Sequence, residues 1–248
     1  MELQAFFEQN PRCALAFSGG VDSSYLLYAA QKYGCDIHAY FIKSSFQPQF
    51  ELDDAHRLAE ELHVPFTVVE TDALQNAQVA ANDSLRCYYC KTTLFTQLLD
   101  LAHKDGYPLL MDGTNASDSF EGRPGMRALQ ELNVRSPLRE CGLSKSDVRR
   151  LSREAGLFTH DKPSYACLAT RIPTGTAITE ELLKKVETAE NKLFSMGFTD
   201  FRVRYFHDSA KLQLPENQLS MAIEKREALL SALSPYFKEV LLDLTPRT

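Results

Sequence analysis

Ser18-Gly-Gly-Val-Asp-Ser-Ser24 is the stretch of this chain that decides the fold. It follows a short apolar run at residues 13–17, which predicts a β-strand, and it opens a helical pattern over residues 21–30. Two adjacent glycines allow a tight turn and a close approach of the backbone to a ligand. The amides of such a turn and the N-terminus of the next helix attract an anion. The stretch lacks the Gly-Lys-Ser/Thr ending of a Walker A loop, so the sequence predicts a phosphate-binding loop of another type.

Strand and helix patterns alternate through the first part of the chain. Further strands are expected at residues 37–42, 66–69 and 109–111, and helices at 52–62, 92–102 and 144–156. The last helix begins with a capping pattern, Ser144 followed by Asp147. This alternation predicts an α/β fold, a parallel sheet with helices on both faces. Because ligands bind beyond the carboxyl ends of such strands, we expect the 18–24 loop and the turn at residues 112–115 to border one crevice.

A turn-rich segment divides the chain. We expect residues 1–160 to form the α/β domain, residues 161–178 a functional linker, and residues 179–248 a small α+β domain. In the last part the patterns predict a helix at 179–196, strands at 201–206 and 210–214, a helix at 216–232 and a strand at 238–243.

Bulk composition excludes several classes of protein. The net charge of −6 argues against broad nucleic-acid binding. The absence of an 18-residue apolar run predicts no transmembrane helix, and the N-terminus lacks the basic and apolar regions of a secretory signal. Six cysteines in 248 residues are too few for a disulfide scaffold, so we expect reduced thiols and a cytoplasmic location.

Three cysteines attract attention as metal ligands or nucleophiles. Cys87 and Cys90 form a Cys-x-x-Cys pair, and Cys167 lies in the linker. The pair alone also fits a redox pair, half of a zinc site, or simple packing. Since no second such pair and no His pair of finger spacing exists, a closed four-ligand zinc site is weakly supported. Three thiolates with an open fourth position suit a 4Fe-4S cluster whose unique iron can bind substrate or sulfide.

The glycine loop resembles the PP-loop of ATP pyrophosphatases, enzymes with an adenine nucleotide alpha hydrolase-like fold that cleave ATP between the α- and β-phosphates. The resemblance implies that the loop binds the pyrophosphate of ATP, with a catalytic Asp22 near the nucleotide or its Mg2+. The residues implied in ATP binding are Ser18, Gly19, Gly20, Asp22, Ser23 and Ser24.

A closer resemblance, to the LarE family of PP-loop sulfur transferases, extends over nearly the whole chain. The other matching segments are residues 86–91, 112–115, 123–125, 136–138, 162–164, 167–171, 202–204 and 210–213. The resemblance implies that ATP adenylylates a carboxylate of pyridinium-3,5-biscarboxylic acid mononucleotide, and that sulfur then displaces AMP to give a thiocarboxylate. In one branch of the family a cysteine at the position of Cys167 gives up its own sulfur. In another branch three cysteines bind a 4Fe-4S cluster that carries sulfide, and Cys87, Cys90 and Cys167 match that pattern, with Cys167 also a catalytic residue; both sulfur sources stay open.

The resemblance also implies a substrate site in the C-terminal module. Arg202 and Arg204 alternate on a predicted strand and so share a face, and the family uses them for the substrate phosphate. Glu190, Thr170 and Arg171 are further substrate-binding residues that the resemblance implies. Lys162 and Arg171 flank Cys167 in sequence, and a nearby cation favours a thiolate. Gln213 stands where the family commonly has glutamate.

Other functions compete with this interpretation. A PP-loop amidotransferase or synthetase would use ammonia and needs no cysteine cluster, whereas a tRNA thiolase shares the chemistry but needs a nucleic-acid surface. A nucleotide-binding regulatory protein would bind ATP without turnover. We expect the sulfur transferase, with ATP, Mg2+ and a 4Fe-4S cluster as cofactors, a small-molecule nucleotide as substrate, and a homo-oligomeric state.

Overall fold

The computed structural model of the protein describes residues 2–119 and 122–247; Met1, Phe120, Glu121 and Thr248 lie outside the described residues. Four parallel strands form the larger sheet, in the order β3-β2-β1-β4. Their bounds are Arg12–Ala16 for β1, Asp36–Lys43 for β2, Phe66–Glu70 for β3 and Leu110–Met111 for β4. Leu15 of β1 lies opposite both Ala39 of β2 and Met111 of β4. This sheet confirms the predicted α/β fold.

Helices cover both faces of the sheet. In chain order, the helices of the described residues are α1 Leu3–Gln9, α2 Val21–Lys32, α3 Gln49–Glu61, α4 Ala77–Ala80, α5 Arg86–Lys104, α6 Pro124–Glu131, α7 Pro137–Glu140, α8 Lys145–Glu154, α9 Glu180–Ser195, α10 Leu219–Glu224 and α11 Arg226–Leu233. The last three, α9 to α11, pack in the C-terminal part of the chain. Leu15 packs with α2 and α3 in one core, whereas its neighbour Ala14 packs with α5 and α6 in another. Successive strand residues point to opposite faces, which is why the parallel sheet is apolar on both.

A smaller sheet lies in the C-terminal part of the chain. Strand β5, Arg202–Phe206, is antiparallel to β6, Ser209–Gln213, and β6 is parallel to β7, Val240–Leu242. Leu193 of α9 and Leu233 of α11 pack against this sheet in its own core. The predicted α+β character is therefore present, and within the described ranges no helix is long and apolar enough to cross a membrane.

Helix bounds differ from the sequence prediction in three places. The predicted helix at 216–232 is wrong as one element: a 3-10 turn at Glu216–Gln218 precedes α10, and Lys225 leaves helical geometry between α10 and α11. Helix α5 begins at Arg86, before the predicted start at residue 92. The prediction missed this first part because its N-cap, Leu85, makes no side-chain capping bond that the sequence could signal. The sequence prediction does not include helices α1, α4, α6 and α7. By contrast, the capping box of Ser144 and Asp147 at the start of α8 is confirmed.

Candidate active site

The 18–24 loop joins β1 to α2 at the carboxyl end of the sheet. The hydroxyl oxygens of Ser18 and Ser23 lie 3.0 Å apart, and the Ser23 Oγ also donates to the Gly20 carbonyl at 3.2 Å. Gly19 has φ +69°, and a Cβ there would lie 2.9 Å from the carbonyl oxygen of Glu51, so the position requires glycine. These bonds fold the loop tightly against the N-terminus of α2.

Asp22 links this loop to two other elements. Its Oδ1 accepts from Asn115 Nδ2 at 3.2 Å, and its Oδ2 pairs with Lys145 Nζ at 2.5 Å. The turn at residues 112–115 therefore touches the loop, as expected, and a Cβ on Gly113 would come within 2.8 Å of the Ser23 amide nitrogen. Lys145 was missed as a site residue; its only sequence signal is its place directly after the Ser144 N-cap.

A cavity of about 410 Å³ opens at this end of the sheet. Its wall brings together half of the sequence-predicted site residues, namely Ser18, Gly20, Asp22, Ser23, Cys87, Cys90 and Cys167. Gly19 and Ser24 do not line it, and Ser24 Oγ is buried without a hydrogen-bond partner among the described residues. The anion-binding loop and all three notable thiols thus face one space.

The three thiols differ in their surroundings. Cys87 is exposed and accepts from Arg86 Nη2 at 3.3 Å, whereas Cys90 and Cys167 are half-buried. Burial raises the pKa of Cys90 to about 12, and burial also raises the pKa of Cys167, with the Arg86 guanidinium opposing both shifts. Both groups are therefore thiols at neutral pH. Over residues 2–119 and 122–247, no three His, Cys, Asp or Glu side chains stand arranged to hold a metal ion.

Lys162 contacts the glycine loop and α3. Its Nζ donates to the Gly19 carbonyl at 3.2 Å and pairs with Asp54 at 2.6 Å. The cation with the largest effect on Cys167 is Arg86, with Arg171 contributing less. The expectation that a cation close to Cys167 in sequence favours its thiolate therefore holds for Arg171. It gains no support for Lys162.

The linker that carries Cys167 is fixed by a buried ion pair. Arg171 Nε donates to Glu190 Oε1 at 2.8 Å, and both side chains are essentially inaccessible, 0% and 1% exposed. Glu190 also accepts from the Tyr165 hydroxyl and from the Val203 amide. Such a pair is strong only because its remaining donors and acceptors are satisfied. Arg171 and Glu190 do not line the cavity, so in this geometry their ion pair positions the linker.

Arg202 and Arg204 point toward the same linker. Arg202 donates to the carbonyl oxygens of Phe201 and Ser164, and Arg204 donates to the Thr170 carbonyl and to Gln213 Oε1, each at 2.5 Å. Burial and the repulsion of Arg171 lower the pKa of Arg202 to about 10 and lower that of Arg204. Neutral acceptors take the hydrogen bonds of both guanidinium groups. Arg202 Nη1 also lies 3.9 Å from Asp200 Oδ1, whereas Arg204 forms no ion pair with a described carboxylate.

A second cavity, of about 380 Å³, lies beside Arg202. Aromatic rings and two cations form most of its wall: Phe50, Tyr165, Phe194, Phe201, Lys162 and Arg202. The Arg202 guanidinium lies 5.1 Å from the centre of the Tyr165 ring. Rings with cations at their edges suit an aromatic anion.

Sequence reasoning also missed Glu51 of α3. The residue lines the larger cavity although it is only 8% exposed. Burial raises its pKa to about 7, and the charges of Lys162 and Arg171 act in the opposite direction. In the sequence Glu51 is one of several charged residues in this segment, and no local pattern marks it as buried.

Known proteins resemble this chain over most of its length. Residues 7–217 match the asparagine synthase family. A pyridinium-3,5-bisthiocarboxylic acid mononucleotide synthase of Lactiplantibacillus plantarum is 33% identical over 98% of this chain and 89% of that protein. An uncharacterised protein of Synechocystis is 37% identical over 90% of this chain and 83% of its own length. A probable tRNA sulfurtransferase of Methanobrevibacter smithii matches less, at 27% identity over 58% of this chain and 41% of its own.

These matches agree with the geometry, a glycine loop at the carboxyl end of a parallel sheet that shares its cavity with three thiols. The near full-length similarity to the mononucleotide synthase covers both the loop and the C-terminal module. The chain therefore belongs to the LarE family of ATP-dependent PP-loop sulfur transferases.

Proposed function

We propose that this protein adenylylates a carboxylate of pyridinium-3,5-biscarboxylic acid mononucleotide with ATP and converts it to a thiocarboxylate. The observation that carries the proposal is that the 18–24 loop and Cys167 line the same cavity. A carboxylate is a poor electrophile, and adenylylation gives it a good leaving group. Sulfur can then attack only if the activated acyl carbon and the sulfur meet in one water-poor site.

The loop residues would hold the triphosphate. Backbone amides at the N-terminus of α2 bind the pyrophosphate part, and the Ser18 and Ser23 hydroxyls add donors. Asp22 would face Mg2+ on the nucleotide, while Lys145 beside it adds positive charge near the departing pyrophosphate. In this arrangement Ser24 supports the packing of α2 and is not a phosphate ligand.

The sulfur would come through the three cysteines. Cys87, Cys90 and Cys167 line one cavity, although no three such side chains of the described residues are arranged as a metal site. If the three thiolates converge, they would form a donor set for a 4Fe-4S cluster with one open iron. Cys87 and Cys90 would hold it from the first turn of α5, and Cys167 from the linker. When bound, such a cluster supplies a sulfide; without it, Cys167 itself is the sulfur donor.

The C-terminal module would hold the mononucleotide. Arg202 and Arg204 place two guanidinium groups on one strand, which suits the substrate phosphate, and the aromatic cavity beside Arg202 suits the pyridinium ring with its two carboxylates. Thr170 lies at the same place, since its carbonyl accepts from Arg204. We assign ATP binding to residues 1–160 and substrate binding to residues 179–248; the homo-oligomer and the cytoplasmic location stay predictions.

The test is a product analysis. Protein purified without oxygen is incubated with ATP, Mg2+ and the dicarboxylate mononucleotide, and AMP, pyrophosphate and thiocarboxylate are quantified. Substrate-dependent AMP and pyrophosphate with a thiocarboxylate product are expected; formation of ADP and phosphate would contradict the proposal. Iron, acid-labile sulfide and the mass of the Cys167 peptide then separate the sulfur sources, because a sacrificed Cys167 becomes dehydroalanine.

A further inference from the structure

Four acidic residues line the larger cavity, and the carboxyl groups of three of them form ion pairs or hydrogen bonds with neighbouring residues. Asp22 pairs with Lys145, and Asp118 pairs with Arg123 at 3.2 Å. Asp112 accepts from the Ser136 hydroxyl at 2.7 Å and from Thr114. Each of these three carboxyl groups is therefore engaged by hydrogen-bond donors of the protein. The fourth is Glu51.

Glu51 is buried yet makes no side-chain hydrogen bond or ion pair with another described residue. A buried carboxyl group without a partner costs free energy, so its retention at a cavity wall points to a use. The Glu51 carboxyl group interacts electrostatically with four charged side chains, those of Lys162, Arg171, Arg202 and Asp54. It also interacts with the Tyr165 hydroxyl. The backbone of the same residue packs on Gly19, which fixes the carboxylate beside the phosphate-binding loop.

The proposed reaction needs a proton acceptor at this place. A hydrosulfide or the Cys167 thiol carries a proton, whereas the deprotonated sulfur is the nucleophile, and Cys167 and Glu51 line the same cavity. The attacking sulfur must therefore lose a proton as it attacks, inside a cavity whose other carboxyl groups are already engaged. A group whose ionisation lies near neutral pH is the most efficient general base there.

We propose that Glu51 is the general base of the sulfur-transfer step, an inference that rests on the proposed function. As the sulfur attacks, its S–H bond breaks and the electron pair forms the bond to the acyl carbon. The acyl–oxygen bond breaks, AMP leaves with its electron pair, and the proton passes to the Glu51 carboxylate. A hydrosulfide donor gives the thiocarboxylate directly. The Cys167 thiol gives a thioester, whose Cβ–S bond then breaks by β-elimination with loss of the Cα proton, which releases the thiocarboxylate and leaves dehydroalanine.

The experiment separates the two half-reactions in the full chain. Glu51→Gln keeps the size of the side chain but cannot accept the proton, and Glu51→Asp keeps a carboxylate. Adenylylation is measured as pyrophosphate release with hydroxylamine as a trap, which gives the hydroxamate without the sulfur step. Sulfur transfer is measured as thiocarboxylate formed in a single turnover between pH 5.5 and 8.5, a range chosen to span roughly one unit or more around neutral pH.

Glu51→Gln is expected to form hydroxamate at the wild-type rate and thiocarboxylate about 100-fold or more slowly, the usual contribution of a general base. The wild-type rate of sulfur transfer should rise with pH through about 7, following ionisation of Glu51; the glutamine variant should lose that rise and Glu51→Asp should retain it. Glu60→Gln, on the exposed side of α3, is the matched control and should change neither step.

Two results would overturn the inference. Either thiocarboxylate forms in Glu51→Gln at the wild-type rate and pH profile, or hydroxamate and thiocarboxylate fall together, which would place Glu51 in ATP binding. Failure of the proposed function looks different, since wild-type protein would then release no pyrophosphate in response to the dicarboxylate mononucleotide.

Discussion

Replacing Arg204 by methionine tests the substrate clamp most directly. Its guanidinium donates to two neutral oxygens, Gln213 Oε1 and the Thr170 carbonyl, and forms no ion pair with a described carboxylate. A phosphate would therefore meet an unneutralised charge. A charge-assisted hydrogen bond contributes roughly 1.5–3 kcal/mol, so the KM for the mononucleotide should rise about 10- to 150-fold in Arg204→Met. The KM for ATP should stay close to the wild-type value, because the ATP loop lies in the other module.

The assay is steady-state pyrophosphate release with one substrate varied at a time. Arg204→Lys keeps the charge but loses the planar pair of donors, so its KM for the mononucleotide should lie between those of wild type and Arg204→Met. Arg226→Met is a matched control, because Arg226 is an exposed arginine of the same module. Arg202 is a poorer probe, since it is buried and its loss would also disturb the Ser164 carbonyl.

Equal increases in both KM values would refute the reasoning, since they would mean a general loss of structure or a contact with ATP. An unchanged KM for the mononucleotide would refute it as well. A fall in kcat at constant KM would place Arg204 in transition-state stabilisation and contradict a ground-state phosphate contact.

Three further predictions concern the remaining site residues. Asp22→Ala should abolish pyrophosphate release but shift the melting temperature little, because its ion pair is partly exposed; retained turnover would contradict its role. Arg171→Met should cost about 3–5 kcal/mol in urea unfolding by stranding buried Glu190, and adding Glu190→Met should recover part of that loss. Between pH 4.5 and about 7, native Glu51 binds a proton more tightly than the unfolded chain does, so wild-type stability should fall as pH rises. Glu51→Gln lacks this titration and should be the more stable protein at pH 8, by up to roughly 3 kcal/mol in urea unfolding; equal pH profiles would contradict the burial argument.

Local sequence signals predicted the elements that depend on local chemistry. The glycine loop and the Ser144 capping box are written in short segments, because a tight turn and a helix start each need particular residues within a few positions. The first turn of α5 carries no such signal, so the helical position of Cys87 and Cys90 emerged only from the structure. Packing between distant segments was invisible in the same way: nothing local shows that Ser24 turns away from the cavity or that Glu51 turns into it.

The linker explains how one module can govern chemistry in the other. Arg202 and Arg204 of β5 hold carbonyl groups at Ser164 and Thr170, on both sides of Cys167. The backbone amide of Leu168, next to Cys167, in turn donates to the Phe46 carbonyl at 2.9 Å, which ties the linker to the segment between β2 and α3. The same strand that carries the proposed phosphate contacts therefore also fixes the position of the sulfur. Since a misplacement of about 1 Å can cost on the order of 100-fold in rate, shared anchoring of clamp and thiol gives the small C-terminal sheet a direct influence on the reaction.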